Sequence, residues 1–185
     1  MNNSDLAELT PQPRSTVRSR IDLCGTWMLH IGTESERPAR GDDGWEPFQV
    51  PGWKSAVRKD RRYWLWFRRE IAIPAEWQGK RIVLNLRGAR NTPAVFVDGV
   101  LAGDRFDGWT PFELDVTDFV RPGSRHTLDL RCGDRSAVED MTMSVDEPGH
   151  TLGPVGGYHD NCGPFLPVYL DAYDPLHIDH HSFSV

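Results

Sequence analysis

The sequence has few cysteines, no excess of basic residues and no long apolar run. Its three cysteines in 185 residues form no C-x-x-C pair, and their odd number argues against a disulfide framework. A formal net charge of −6 disfavours nucleic acid as a partner, because phosphate binding needs a basic face. No stretch is apolar enough for a membrane span, and the N-terminus lacks the apolar core of a signal peptide. These absences predict reduced thiols and a cytoplasmic location.

Motifs for several kinds of chemistry are also absent. There is no Gly-x-Ser-x-Gly, P-loop or dinucleotide-binding fingerprint. The adjacent acidic residues at 139–140 and 146–147 do not form a glycosidase pair, which needs two carboxylates about 5–10 Å apart. His177, His180 and His181 could bind a metal, but His180 would lie on the opposite face of a strand from the other two. We therefore predict no catalytic residue and no metal site.

The remaining sequence is typical of short strands joined by turns. It contains 17 glycines and 14 prolines, and no segment keeps a helical period over three turns. The strongest strand signal is 63–74 (YWLWFRREIAIP), in which Arg69 interrupts an apolar face and predicts a bulge or strand end. Residues 81–87 alternate, with Ile82, Leu84 and Leu86 on one face. Asp98-Gly99 predicts a hairpin turn. The pattern indicates a single all-β sandwich or jelly roll.

The pattern also predicts boundaries. Residues 1–20 are expected to be a loose arm, with ordered structure from Ile21. Residues 21–174 are expected to form the domain, and 175–185 to be a further strand. Residues 133–163 show no clear strand, and a segment of that length inside a compact domain is usually functional or disordered.

Five segments, taken in order, resemble the N-terminal sugar-binding domain of family 2 glycoside hydrolases, which include β-galactosidases, β-glucuronidases and β-mannosidases. They are 23–27 (LCGTW), 50–53 (VPGW), 66–74 (WFRREIAIP), 95–99 (VFVDG) continuing to 108–117 (GWTPFELDVT), and 163–170 (GPFLPVYL). The resemblance covers nearly all of the chain after the arm. One departure is 164–166 (PFL), where the family usually has Ile, an aromatic residue and Arg.

The resemblance implies a galactose-binding-domain-like jelly-roll β-sandwich that is not catalytic on its own. In the family an immunoglobulin-like domain and a (β/α)₈ barrel follow, and the barrel supplies both catalytic glutamates. The present chain stops at Val185, in what resembles the start of the immunoglobulin-like domain, so the missing domains are expected partners. Two alternatives stay open: a stand-alone carbohydrate-binding module, and an interaction domain without enzymatic function. Galactose-binding-like folds often hold a structural calcium ion, but no D-x-D-x-D-G loop is present.

The resemblance also implies a substrate-binding loop. Asp160, flanked by His159 and Asn161, stands where family members place an aspartate that hydrogen-bonds a substrate hydroxyl. A solvated loop residue or an Asx-turn is the alternative interpretation. Sugar rings stack on exposed aromatic side chains, and Trp109 is the best candidate for such a ring. The other candidates, Trp53, Trp64 and Trp66, could instead be packing residues.

Overall fold

A computed structural model describes residues 18–32, 37–39, 41, 43–55, 63–105, 110–133 and 161–174. The described part contains thirteen strands and two short 3₁₀ helices, Ala75–Trp77 and Thr117–Phe119. No helix in it is long and apolar enough to cross a membrane. The strands are β1 Arg18–Asp22, β2 Gly25–Gly32, β3 Glu46–Val50, β4 Lys54–Ser55, β5 Trp64–Ala72, β6 Arg81–Leu86, β7 Ala89–Arg90, β8 Ala94–Val97, β9 Val100–Asp104, β10 Phe112–Asp115, β11 Arg125–Gly133, β12 Asn161–Pro164 and β13 Val168–Tyr173.

The strands form two large antiparallel sheets and one small one. The six-stranded sheet has the order β3-β2-β5-β11-β8-β9, and the four-stranded sheet has the order β1-β13-β6-β10. The small sheet, β4-β12-β7, includes a strand at 161–164 that the sequence did not predict. One apolar core joins side chains of both large sheets, such as Phe67 of β5 and Leu84 of β6. This arrangement confirms the predicted all-β jelly-roll sandwich.

The core side chains follow the predicted alternation along the strands. Ile82, Leu84 and Leu86 are each about 1% exposed and face the six-stranded sheet. Burial of such side chains stabilises the fold by roughly 1.5–3 kcal/mol each. Gly163 of β12 has a φ of 123°, and a Cβ atom there would lie 2.9 Å from Cζ of Phe67. Glycine at this position therefore lets β12 lie directly against the core.

Strand β5 continues through Arg69, so the predicted interruption there is wrong. Its register with β11 is unbroken, with Arg69 opposite Leu128. The guanidinium of Arg69 donates hydrogen bonds to the backbone oxygens of Leu23, at 2.7 Å, and Cys24, at 3.0 Å. These backbone acceptors satisfy the charged group at the edge of the core, so the strand does not need to bend to expose it.

The first strand begins at Arg18, earlier than the expected start of ordered structure at Ile21. Its arginines bind the carboxylate of Asp171 on β13, whose side chain is completely buried. Arg20 donates from Nε at 2.7 Å and from Nη2 at 3.0 Å, and it stacks 3.6 Å from the centroid of the Tyr169 ring. Sequence reasoning assigned these arginines to a polar arm because their acidic partner lies about 150 residues further along the chain.

Candidate functional site

Three of the four predicted substrate-binding residues, 159–161, are consecutive in the sequence, and only the last of them is described by the structure. His159 and Asp160, like Trp109, lie outside the described residues, and their roles stay predictions. Asn161 is the first residue of β12, where its backbone pairs with Ser55 of β4. The small sheet therefore fixes the position of the backbone immediately after Asp160, at Asn161.

The residues that flank the segment 134–160 lie close together. Gly133, the last residue of β11, exchanges backbone hydrogen bonds of 3.0 and 3.3 Å with Asn91. Asn91 follows β7, and β7 pairs with β12 through Arg90 and Gly163. The thiol of Cys162 adds hydrogen bonds to the oxygens of Arg90, at 3.1 Å, and Gly133, at 3.2 Å. We call Gly133, Asn91 and β12, which are joined in this way on either side of the segment, its base.

An exposed aromatic pair lies beside this base. Trp53 is 44% exposed, and its ring centroid lies 5.6 Å from that of Phe165 at an angle of 31°. Leu166, which follows in the chain, is 41% exposed. The chain that carries Trp53 is tied to β12, because the amide of Gly52 donates to the oxygen of Pro164 at 2.9 Å. Trp53 therefore has the exposure and the rigid support that ring stacking on a sugar requires.

Glycines determine how this aromatic pair is placed. A Cβ atom at Gly88 would lie 2.7 Å from Cζ of Phe165, and one at Gly52 would lie 2.4 Å from the oxygen of Gln49. Real Cβ atoms do not approach so closely, so both positions need glycine. The sequence shows these glycines but not their purpose, since the partners are distant in sequence or are backbone atoms.

Trp64 and Trp66 are packing residues, as the alternative interpretation held. They are 9% and 1% exposed, and they share the outer face of β5. The guanidinium of Arg131 lies 4.5 Å from the Trp64 ring centroid, and the Trp66 ring lies 5.2 Å from that of Phe96. A covered ring cannot stack on a sugar, so Trp53 is the exposed candidate within the described residues.

The buried carboxylates are engaged by arginines. Asp129 and Asp171 both have fully buried side chains. Asp129 receives Nε of Arg68 and Nε of Arg37, each at 2.5 Å. Burial raises the pKa of Asp171 above its ordinary value, and its hydrogen bond from Arg20 opposes that rise. The oxygens of both carboxylates accept hydrogen bonds from arginines within the fold, so neither residue is placed to act as the general acid or base of a glycosidase.

One pair resembles a catalytic dyad but is structural. His126 Nδ1 lies 2.7 Å from Oδ2 of Asp98, and His126 Nε2 accepts the backbone N–H of Arg121 at 2.9 Å. That acceptor role fixes the proton on Nδ1 and leaves no ring nitrogen for a substrate. Burial raises the pKa of Asp98, but hydrogen bonds from the Thr127 amide and from His126 outweigh it and lower the pKa overall. The dyad fastens the predicted hairpin at Asp98, which has a φ of 49°.

One groove among the described residues is unrelated to the predicted site. It has a volume of about 1160 Å³ and lies beside the two 3₁₀ helices, between residues 78–82 and 115–124. Two of its charged side chains pair with each other, since Arg81 Nε lies 2.8 Å from the carboxylate of Asp115. The described residues include no group of three His, Cys, Asp or Glu side chains that could hold a metal ion.

Comparison with known proteins shows glycosidase relatives. No family model matches the chain. It is 29% identical over 127 residues to the β-galactosidase of Thermoanaerobacter pseudethanolicus, a match that covers 69% of this chain and 16% of that protein. It is also 29% identical over 128 residues to the β-glucuronidase of Canis lupus familiaris, covering 59% of this chain and 20% of the relative. The chain therefore spans a fifth or less of these curated relatives.

Solved structures of other β-glucuronidases share the fold. The β-glucuronidase of Faecalibacterium prausnitzii aligns with a TM-score of 0.65 and 23% identity, over 90% of this chain and 33% of that one. The β-glucuronidase of Dictyoglomus thermophilum aligns with a TM-score of 0.62 and 19% identity, over 87% and 29%. Together these relatives confirm the resemblance to family 2 glycoside hydrolases, and the small share of each that is matched agrees with a non-catalytic domain.

Proposed function

We propose that this chain is the non-catalytic N-terminal domain of a family 2 glycosidase, acting as a scaffold for the other domains. The observation that carries the proposal is the coverage: relatives named for glycosidase activity match it over 16% and 20% of their length. The paired state of Asp129 and Asp171 supports it, because these buried carboxylates are bound by arginines. The full enzyme would hydrolyse O-glycosyl bonds, with the reaction performed outside this chain.

Contact with carbohydrate belongs to the same proposal. Asp160 would accept hydrogen bonds from sugar hydroxyls, since a carboxylate is a strong, charge-assisted acceptor. His159 and Asn161 would flank it. The base formed by Gly133, Asn91 and β12 supports this role, because it brings together the residues on either side of the segment 134–160.

The test of the scaffold role is an activity assay of the purified chain. We expect no release of the aryl group from aryl β-galactosides or aryl β-glucuronides above the rate in buffer. Turnover that co-purifies with the chain, and that disappears when one of its carboxylates is changed to the amide, would show that the chain itself is an enzyme.

A carbohydrate-binding module is the second candidate, and the exposure of Trp53 favours it. Titration calorimetry with galactosides, glucuronides, mannosides and glucosides separates the two functions. A stand-alone module gives saturable heat that Trp53→Ala or Trp109→Ala abolishes, whereas Trp64→Phe, at a covered ring, leaves it unchanged. A scaffold domain gives no saturable heat with any of the four sugar classes.

A further inference from the structure

Two cysteines that are distant in sequence meet in the core. Cys132 lies near the end of β11 and is 0% exposed, and Cys162 lies in β12 and is 1% exposed. Both belong to the main apolar core. Sγ of Cys162 lies 3.2 Å from the oxygen of Gly133, the residue that follows Cys132. The two side chains therefore occupy the same small region, at the base of the segment 134–160.

The Cys162 thiol also affects the pKa of the Cys132 thiol. Burial raises the pKa of the Cys132 thiol well above its usual range, and a hydrogen bond with the Cys162 thiol raises it further. The third cysteine has different neighbours: Sγ of Cys24 lies 3.8 Å from the oxygen of Val168, and its pKa is raised by burial and by Asp22. Because Cys24 has different neighbours from the other two cysteines, it serves as an internal control for the effect of their proximity.

We propose that Cys132 and Cys162 are a modification site, at which a hydroperoxide converts the thiol pair into an intramolecular disulfide. One thiolate attacks an oxygen of hydrogen peroxide, the O–O bond breaks and the sulfur becomes a sulfenic acid, while the hydroxide that leaves takes up a proton and becomes water. The second sulfur then attacks the sulfenic sulfur, the S–S bond forms and a second water leaves. Two thiols lose two protons and two electrons, and one hydrogen peroxide becomes two waters.

The disulfide would join β11 to β12 covalently. It would replace the hydrogen bonds that the Cys162 thiol donates to the oxygens of Gly133 on β11 and Arg90 on β7, because a disulfide sulfur carries no proton. Because a cross-link between residues far apart in sequence restricts the unfolded chain, the oxidised form should unfold at a higher temperature or denaturant concentration. Since reaction requires a thiolate and the thiols are buried, oxidation should be slow.

The test treats the folded, reduced chain with hydrogen peroxide and then counts thiols after unfolding. We expect the count to fall from three to one. The intact mass should fall by two hydrogen atoms, and peptide mapping should find Cys132 linked to Cys162. Cys24→Ser should form the same link, whereas Cys132→Ser and Cys162→Ser should each form no intramolecular link.

The second arm of the test repeats the thiol count and the peptide mapping on chains that are unfolded before peroxide treatment. Native proximity predicts that the Cys132–Cys162 link forms from the folded chain and dominates over links to Cys24. A disulfide that includes Cys24, or one that forms only from unfolded chains, would overturn the proposal. So would unlinked sulfinic or sulfonic acids at Cys132 and Cys162 with no disulfide, since paired thiols condense before they oxidise further.

Discussion

The buried ion pair between Asp129 and Arg68 offers the sharpest test of the structure. Asp129 lies on the outer face of β11, opposite Arg68 of β5 in the antiparallel register. Its carboxylate accepts Nε of Arg68 and Nε of Arg37, each at 2.5 Å. Arg68 also donates to the oxygen of Pro38 at 3.0 Å. We predict that Asp129→Asn is among the most destabilising single-charge changes in the chain.

The expected magnitude follows from burial. The side chain of Asp129 is 0% exposed and that of Arg68 is 9% exposed, so the amide variant leaves a cation that water cannot reach. Breaking a buried pair in this way costs about 3–5 kcal/mol of the free energy of unfolding. Arg37 is 28% exposed, so water can solvate its guanidinium. Arg37→Ala should therefore cost only about 1 kcal/mol of the free energy of unfolding.

A matched control removes the same charge at the surface. Lys54 and Glu46 form an ion pair at 2.8 Å, with side chains 38% and 53% exposed. Exposed pairs contribute less than about 1 kcal/mol, so Glu46→Gln should have little effect. The double variant Asp129→Leu/Arg68→Met should be less destabilised than Asp129→Asn alone, because removing both partners leaves no buried unpaired charge.

The assay is equilibrium unfolding in urea, monitored by tryptophan fluorescence. Free energies of unfolding are compared between variants for which this free energy has the same slope against urea concentration. If Asp129→Asn loses no more than Glu46→Gln, the carboxylate is not in the buried pair that the structure shows. Strict additivity of Asp129→Leu and Arg68→Met, each measured alone and then combined in the double variant, would contradict the argument in a different way, since an interacting pair must couple.

Two further predictions concern backbone and pH. Gly163→Ala should lower the free energy of unfolding by about 2–5 kcal/mol, because φ is 123° and the new Cβ would lie 2.9 Å from a core aromatic ring. The control is Gly79→Ala, at φ 77° with nothing within 4 Å of the new Cβ, which should lose only about 1–2 kcal/mol in the same urea assay. Asp98→Asn should lose under about 1 kcal/mol at neutral pH, since Asp98 is half exposed. Because the Thr127 amide and His126 lower the Asp98 pKa overall, that stabilisation is present above the unfolded value near 4 and is lost as pH falls through the lower folded pKa. Urea unfolding of both proteins from pH 7 to pH 3 should therefore show the difference shrinking in acid, and a difference that grows would contradict the assignment.

Local patterns predicted most of the fold. The alternation of Ile82, Leu84 and Leu86 is visible in the sequence because side chains on a strand point to opposite faces in turn. The Asp98-Gly99 turn is visible because few residue pairs tolerate positive φ at both positions, and the structure has φ values of 49° and 87° there. Arg69 misled the same reasoning, since its acceptors are backbone oxygens about 45 residues earlier in the chain.

The tryptophans show where local patterns stop being informative. Alternation places Trp64 and Trp66 on one face of β5, but it does not say whether that face is covered. Arg131 and Phe96 cover it, and they come from strands that reach β5 only through sheet pairing. Trp53 follows a short strand with no periodic signal; it is 44% exposed, and the preceding Gly52 is attached to the distant strand β12.

The same non-local pairing defines the candidate site. Sequence resemblance points to Asp160, but the structure beside it depends on two attachments: Gly133 to Asn91, and Asn161 to Ser55. Both attachments join residues that no turn or short repeat connects. Loops supported by a rigid scaffold often carry binding residues. The role proposed for Asp160 therefore depends on strand pairing that the composition of residues 134–160 does not reveal.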